Sequence, residues 1–95
     1  MAQRFSWDPA KATLNSRKHG VSFEEGLAVF ADPLARIVDD PDHPVEECRE
    51  IIIGHSVARR LLLVCFTERP DGVRIFSAKR ATKTERREYE EFYTR

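Results

Sequence analysis

Cross-linking residues are scarce in this chain. Its two cysteines, Cys48 and Cys65, form no CxxC pair, so a disulfide framework and a structural zinc site are both disfavoured. We expect Cys65, which lies in the apolar run of residues 61–66, to act as a small buried side chain. Cys48 lies among charged residues, where it could be exposed.

Long apolar runs are absent as well. The longest, residues 61–66, is far shorter than the roughly 20 residues that a membrane helix needs. Residues 1–8 contain no apolar signal segment, and we therefore expect a cytoplasmic protein with no membrane contact. With 95 residues, 41% of them hydrophobic and 34% charged, the chain has room for one folded domain, residues 1–95, with a modest core.

The motifs of several enzyme classes are also missing. The four glycines form no phosphate-binding loop, and no serine-nucleophile motif occurs. No cluster of His, Cys and carboxylates has metal-ligand spacing, and His43 and His55 have no motif around them. The sequence therefore predicts neither a cofactor nor a metal.

The formal net charge of the chain is zero, but its charges are unevenly distributed along the sequence. Residues 1–20 carry +3, residues 21–50 carry −7 and residues 51–95 carry +4. Such a chain can present two faces of opposite sign, one for nucleic acid and one for a basic partner, or can mix its charges on folding. The acidic group that could receive a basic partner is Asp39, Asp40, Asp42, Glu46, Glu47 and Glu50.

Capping residues predict three helices. The first begins at Asp8-Pro9, since Asp is a good N-cap and Pro suits the first helical position, and it ends at Gly20. The second begins with a capping box at residues 22–25 and stops at Asp32-Pro33. A second capping box, at residues 82–85, begins the third helix, which continues to about residue 93. The buried stripe of the second helix is expected to be Phe23, Leu27 and Phe30.

The remaining segments predict short strands at residues 5–7, 34–38, 47–57, 60–67 and 73–79. Gly54 suggests a bulge, and the apolar run of residues 60–67 is typical of a central strand covered on both faces. A loop is expected at residues 39–44 and a turn at residues 70–72. The sequence therefore predicts an α+β domain: a small, twisted, mostly antiparallel sheet with two helices before it and one after, packed on one face.

The last predicted strand ends in basic residues and leads directly into the last helix. Strand alternation predicts Val73, Ile75, Ser77 and Lys79 on one face and Arg74, Phe76, Ala78 and Arg80 on the other. Lys79 and Arg80 would then lie beside a helix N-terminus, whose free N–H groups favour an anion. Glu85 and Tyr89, four residues apart, share one helix face.

Two interpretations of this corner are open. It suits a polyanion, because it offers cations for phosphate, a carboxylate and a phenol. It could equally be a solvated surface on which Glu85 only completes the capping box and Tyr89 only fills the core. At the end of the first helix, Lys18 and His19 could interact with the helix dipole, or His19 could carry a proton.

Taken in order, these residues resemble the BrnT family of toxins. Residues 5–8 and 18–25, with Lys11 and Asn15 between them, resemble the family's opening, and residues 74–81 with Glu85, Arg86 and Tyr89 resemble its close. Phe30, Asp32, Glu47, Arg49, Ile53 and Gly54 also fit. The resemblance covers nearly the whole chain.

The resemblance implies a toxin of a type II toxin–antitoxin pair that cleaves RNA, with a fold similar to that of the RelE ribonucleases. It also implies an antitoxin of the BrnA type, a small ribbon-helix-helix protein that binds DNA. Toxin and antitoxin together would form an autorepressor complex, and the toxin would reach operator DNA only through it. The competing function is a non-enzymatic module that binds RNA or protein.

Metal-free RNA cleavage needs a base for the 2′-hydroxyl, cations for the phosphorane-like charge and an acid for the leaving 5′-oxygen. If the chain is a ribonuclease, as the resemblance implies, the candidate catalytic residues are Lys79, Arg80, Glu85, Arg86, Tyr89 and His19. The candidate RNA-binding residues are Arg74, Lys18, Ser77 and Lys83. Lys79-Arg80 stands where the family commonly shows Arg and then a variable, often basic residue, so either side chain could face phosphate.

Overall fold

A computed structural model describes residues 4–39 and 49–94. The strands are β1 (Phe5–Ser6), β2 (Arg36–Asp39), β3 (Glu50–His55), β4 (Leu61–Arg69) and β5 (Gly72–Arg80). The helices are α1 (Pro9–His19), α2 (Phe23–Leu27) and α3 (Lys83–Tyr93), and a 3₁₀ turn at Ala28–Ala31 continues α2. Residues 40–44 of the predicted loop, the first residues of the predicted strand 47–57, and Cys48 lie outside the described ranges.

The strands form one sheet in the order β1-β5-β4-β3-β2. Only the contact of β1 with β5 is parallel among these pairs, and the other neighbours are antiparallel, so the predicted α+β class and mostly antiparallel sheet are confirmed. The central strand is β4, and its first seven residues, including Cys65, are all buried. The prediction of a central strand covered on both faces is therefore confirmed.

The helices cover both faces of this sheet. Val64 and Ile75 pack with Phe23, which begins α2, in the larger core cluster. Leu63, the neighbour of Val64, packs instead with Tyr89 of α3. The expectation that all helices share one face is wrong, because an apolar run along β4 sends side chains to both faces and each face needs a cover.

The second helix is shorter than its sequence pattern predicts. It ends at Leu27, and the 3₁₀ turn carries the chain to Asp32. The tighter 3₁₀ spacing brings Val29 fully into the core, while Leu27 and Phe30 are only partly buried against it. Phe23 is confirmed as the fully buried anchor of the predicted stripe.

A β-bulge interrupts the alternation of β5. Cys65 pairs with Ser77, but the next residue of β4, Phe66, pairs with Ile75, so the register skips Phe76. The extra residue reverses the direction of every side chain that follows it. The bulge lies here and not at Gly54, where the pairing of β3 with β4 is continuous.

The bulge corrects the predicted faces of β5. Ala78 joins Val73 and Ile75 in the larger core, although alternation placed it on the opposite face from them. Ser77 and Lys79 correspondingly turn away from the face that holds Ile75. The error arises because sequence alternation assumes an unbroken ladder.

Gly54 does not form the predicted bulge but allows a close approach between two segments of the chain. A Cβ atom at this position would lie 2.9 Å from the Cβ of Ala35 and 3.0 Å from Oδ2 of Asp32. The absence of a side chain therefore lets the segment after the 3₁₀ turn approach β3 closely.

Helix α1 is fastened to β5 through one buried side chain. The Asn15 amide accepts a hydrogen bond from the N–H of Ala78 (3.1 Å) and donates to the C=O of Ala78 (2.8 Å). The same amide nitrogen donates to the C=O of Val21 (3.0 Å). These bonds fix the end of α1, with Lys18 and His19, beside the second half of β5.

Candidate functional site

The two cations at the end of β5 face different helices. Lys79 Nζ lies 3.8 Å from Oε2 of Glu85 on α3. Arg80 pairs with Leu62, a member of the larger core, and therefore points to the opposite face of the sheet, toward α2. There its charge adds to the larger effect of the hydrogen bond from Arg60 in lowering the pKa of Glu25. The predicted gathering of Lys79 and Arg80 beside α3 is therefore realised by Lys79 directly, while Arg80 lies toward the other sheet face.

Glu85 combines a capping bond with a contact to a cation. Its Oε1 accepts from the N–H of Thr82 (2.8 Å), and its own N–H donates to Oγ1 of Thr82 (3.1 Å), which confirms the predicted capping box. Oε2 is the oxygen that faces Lys79. Because both side chains are partly exposed, this ion pair adds little to stability, and the carboxylate remains accessible for chemistry.

Tyr89 is buried on the sheet side of α3. Its side chain is 6% exposed, and its hydroxyl donates to the C=O of Leu34 (3.1 Å). Tyr93 donates to the same carbonyl oxygen. Burial and the nearby charge of Asp32 raise the pKa of Tyr89, so the phenol is neutral near pH 7 and can act as a proton donor but not as a base.

A groove of about 310 Å³ runs along this side of α3. Its apolar lining includes Ile51, Ile53 and Leu63, and Glu85 and Tyr89 line it from the helix. The other helix candidates, Arg86 and Lys83, are exposed.

A second, shallower groove of about 240 Å³ lies between α1 and β5. Lys18, His19 and Ser77 line it together, so these three sequence candidates are brought into one place. Arg74 is not near the corner: it precedes Arg80 by six residues of strand, about 20 Å at the usual rise. The candidates thus fall into a group beside α3 and a group beside α1, while Arg74 and Arg80 lie apart from both groups.

A network around Glu25 was missed by the sequence pattern. Ser22 caps α2 as expected, accepting from the N–H of Glu25 (3.0 Å). The Glu25 carboxylate, however, accepts from Nε of Arg60 (2.9 Å) and from the hydroxyl of Ser56 (2.7 Å). The hydrogen bond from Arg60, opposed by burial and aided by Ser56, lowers the pKa of Glu25. Arg60 is 35 residues away in the sequence, and no local pattern signals such a contact.

His55 is a second residue that sequence reasoning did not single out. Its backbone N–H donates to Oδ2 of Asp32 (2.8 Å), and its Nδ1 lies 3.8 Å from the same oxygen. Its ring contacts the ring of Tyr89, with 5.8 Å between centroids. Burial works to raise the pKa of Asp32, but the backbone bonds from His55 and Leu34 outweigh it and the pKa is lowered. Strand pairing places His55 at the end of β3, and no local sequence pattern indicates its contact with Asp32.

Phe76 is the third. The guanidinium of Arg49 lies 3.9 Å from the centre of its ring, Lys11 Nζ lies 5.7 Å away and Arg69 lies 5.9 Å away. Phe76 also lines the groove that holds Lys18 and His19. Its special position follows from the bulge, which the sequence does not reveal.

The sequence profile of the family described as "Ribonuclease toxin, BrnT, of type II toxin-antitoxin system" matches residues 7–85. The chain belongs to the BrnT family. The resemblance drawn from residues at both ends of the chain is thereby confirmed, and the family implies an RNA target and an antitoxin partner. The matched region includes Lys79, Arg80 and Glu85, whereas Arg86 and Tyr89 follow it.

Structural similarity agrees with this assignment. The crystal structure of the ribonuclease toxin BrnT from Brucella abortus superimposes with a TM-score of 0.60, covering 86% of this chain and 100% of that one at 22% sequence identity. At this identity the match shows the shared BrnT fold. No curated protein sequence matches the chain.

Two further observations concern ions and membranes. Within residues 4–39 and 49–94, no three side chains of His, Cys, Asp or Glu are grouped so that they could hold a metal ion. None of the helices in those ranges is long and apolar enough to span a membrane.

Proposed function

We propose that this BrnT-family chain is a metal-independent endoribonuclease that cleaves RNA at the corner between β5 and α3, inhibiting translation and growth in the cytoplasm. The observation that carries the proposal is the 3.8 Å approach of Lys79 Nζ to Oε2 of Glu85 at the N-terminus of α3. A cation beside a carboxylate can hold a phosphate next to a group that accepts a proton.

The reaction divides among these residues as follows. Glu85 takes the proton of the ribose 2′-hydroxyl, whose oxygen attacks the adjacent phosphorus. The P–O5′ bond breaks, which gives a 2′,3′-cyclic phosphate and a 5′-hydroxyl end. Lys79 stabilises the charge that develops on the phosphate oxygens, and Arg86, one helix position from Glu85, adds a second cation. Arg80, on the opposite side of the strand end, is proposed to bind the neighbouring phosphate and hold the RNA in place.

The leaving 5′-oxygen needs a proton. Tyr89, kept neutral by burial, can donate one once its hydroxyl leaves the C=O of Leu34. His19, which lies in the groove between α1 and β5, is the alternative donor. Lys18, Ser77, Lys83 and Arg74 are proposed to bind the RNA on either side of the scissile phosphate.

Membership of a toxin–antitoxin family also supports a proposal for the protein partner. We propose that a BrnA-type ribbon-helix-helix antitoxin neutralises the toxin, and that the complex binds operator DNA and represses its own genes. Co-purification with the product of the neighbouring gene, followed by a mobility shift of operator DNA, tests this. Operator binding by the toxin alone would contradict it.

The decisive experiment is cleavage of a labelled single-stranded RNA by the purified chain in excess EDTA. The products should carry a cyclic phosphate, and a substrate with 2′-O-methyl groups throughout should remain intact. In parallel, induction of the chain alone should stop bacterial growth and degrade messages. Normal growth with intact messages at confirmed soluble expression would overturn the proposal.

A non-enzymatic binding module is the second candidate. It is favoured by one observation, that both carboxylate oxygens of Glu85 already have partners, Thr82 and Lys79. Such a module would bind RNA or the antitoxin but leave RNA intact under every condition, including after Glu85→Ala. An enzyme would cleave RNA and lose that activity in corner variants that keep the fold.

A further inference from the structure

Phe76 occupies an unusual position on β5. The bulge takes it out of the pairing register with β4, and its ring is half-buried. Bulges often lie next to functional sites, where they redirect a side chain. Here the redirected side chain is aromatic and lines the groove between α1 and β5.

Cations from three separate parts of the chain lie near this ring. Arg49 precedes β3 and stacks closely, at 3.9 Å from the ring centre, while Lys11 of α1 and Arg69 of β4 lie just under 6 Å from it. All three distances fall within the range of cation–π attraction.

The groove around Phe76 has the composition of a nucleic-acid surface. Lys11 and Lys18 supply positive charge, and Leu14, 63% exposed, adds apolar surface to the same groove. Among the described residues, no carboxylate lines this groove. A basic groove with an aromatic surface in it binds single-stranded nucleic acid, with bases stacked on the ring and phosphates on the cations.

We propose that Phe76 is the stacking platform for one base of the RNA substrate, with Lys11 and Lys18 binding the phosphates that flank it. This inference rests on the proposed ribonuclease function. Phe76 and Lys79 are three residues apart on one strand, about 10 Å. The stacked base and the scissile phosphate therefore belong to nearby nucleotides, and the platform sets which nucleotide is presented for cleavage.

The test uses an RNA octamer with 2′-O-methyl groups throughout, which binds but cannot be cleaved through its 2′-oxygen. Fluorescence anisotropy gives its affinity for the parent chain, Phe76→Leu and Phe76→Tyr. Phe76→Leu should weaken binding about tenfold, and Phe76→Tyr, which keeps the ring, should retain it. The matched control is Phe92→Leu, since Phe92 also carries a cation, Arg36 at 3.6 Å, but lies on α3. The control should bind like the parent.

An abasic scan separates stacking from a structural effect. Octamers that each lack one base should show one position at which the parent loses about tenfold in affinity and Phe76→Leu loses nothing further. An equal loss for parent and variant at every position would overturn the proposal. So would an unchanged octamer affinity accompanied by weaker antitoxin binding, since the platform would then belong to the protein partner.

Lys11→Gln keeps the proposal testable if Phe76→Leu fails to fold, because Lys11 is an exposed helix residue. The variant should reduce the slope of log affinity against log salt by about one, and the abasic effect should persist. An unchanged slope would count against the groove as the RNA path. Failure of unmodified RNA to be cleaved would overturn the ribonuclease proposal alone, because the octamer measurements do not depend on cleavage.

Discussion

The side-chain amide of Asn15 pairs with both backbone groups of Ala78, at 3.1 Å for the N–H and 2.8 Å for the C=O. Strand β1 is only two residues long and pairs with the start of β5, so the second half of β5 would otherwise present an unpaired edge. Asn15 acts there as one residue of a neighbouring strand. A helix thereby closes an edge that would invite association.

Asn15→Ala should destabilise the fold by about 2–4 kcal/mol, because buried backbone groups lose their partners and each such loss costs about 1–3 kcal/mol. Urea unfolding followed by tryptophan fluorescence measures the change. Ser16→Ala, at the next and exposed position of α1, should remain within about 0.5 kcal/mol of the parent. Equal midpoints for the two variants would contradict the role given to Asn15.

Glu85→Gln should separate proton transfer from capping. The Gln side-chain oxygen can still accept from the N–H of Thr82, so thermal stability should stay close to that of the parent. If Glu85 is the base, as proposed, its loss should lower the cleavage rate about 10²- to 10⁴-fold. Single-turnover kinetics on a short RNA measures the rate, and a variant as active as the parent would remove Glu85 from the catalytic set.

Lys79→Ala and Arg80→Ala should weaken cleavage far more than folding. Both side chains are exposed, so truncation should change stability by no more than about 0.5 kcal/mol. Loss of Lys79, the proposed transition-state cation, should cost about 10²-fold or more in rate, and loss of Arg80 should weaken binding of the RNA. Arg87→Ala, an exposed cation on α3 outside the candidate set, is the matched control. A melting temperature far below that of the parent would mark the truncated residue as structural.

The Glu25 network predicts a pH dependence of stability. The folded-state pKa of Glu25 is lowered, chiefly by the hydrogen bond from Arg60, so the stabilisation is complete above the unfolded pKa, about 4.3. It is lost as the pH falls through the folded value. The stability difference between the parent and Glu25→Gln should therefore be constant from pH 7 to about pH 5 and shrink toward pH 3. A constant difference down to pH 3 would contradict the assignment.

Local chemistry explains which parts of the fold the sequence predicted. The N-cap at Asp8, the left-handed Gly20 and the box of Thr82 with Glu85 depend on neighbouring residues, and all three were correctly assigned. Helix α2 was predicted too long because packing of Val29, not spacing, decides where the 3₁₀ turn begins.

The rest of the site depends on contacts between distant segments. The bulge at Phe76 depends on how β4 pairs, and it reverses the faces of the residues after it. The bonds of Glu25 to Arg60 and of Asp32 to His55 join residues 35 and 23 positions apart. Periodicity carries no information at such separations, so the sequence could nominate charged residues but not their neighbours.

The opposite orientations of Lys79 and Arg80 affect when the proposed site forms during folding. Lys79 meets Glu85 only when α3 has docked, whereas Arg80 lies on the opposite face of the sheet, on the side of α2. Because α3 follows the sheet along the chain, a folding intermediate whose strands have paired but whose α3 has not docked lacks the contact of Lys79 with Glu85. If cleavage depends on this pair as proposed, such an intermediate would not cleave RNA, and activity would appear only when α3 packs onto the sheet.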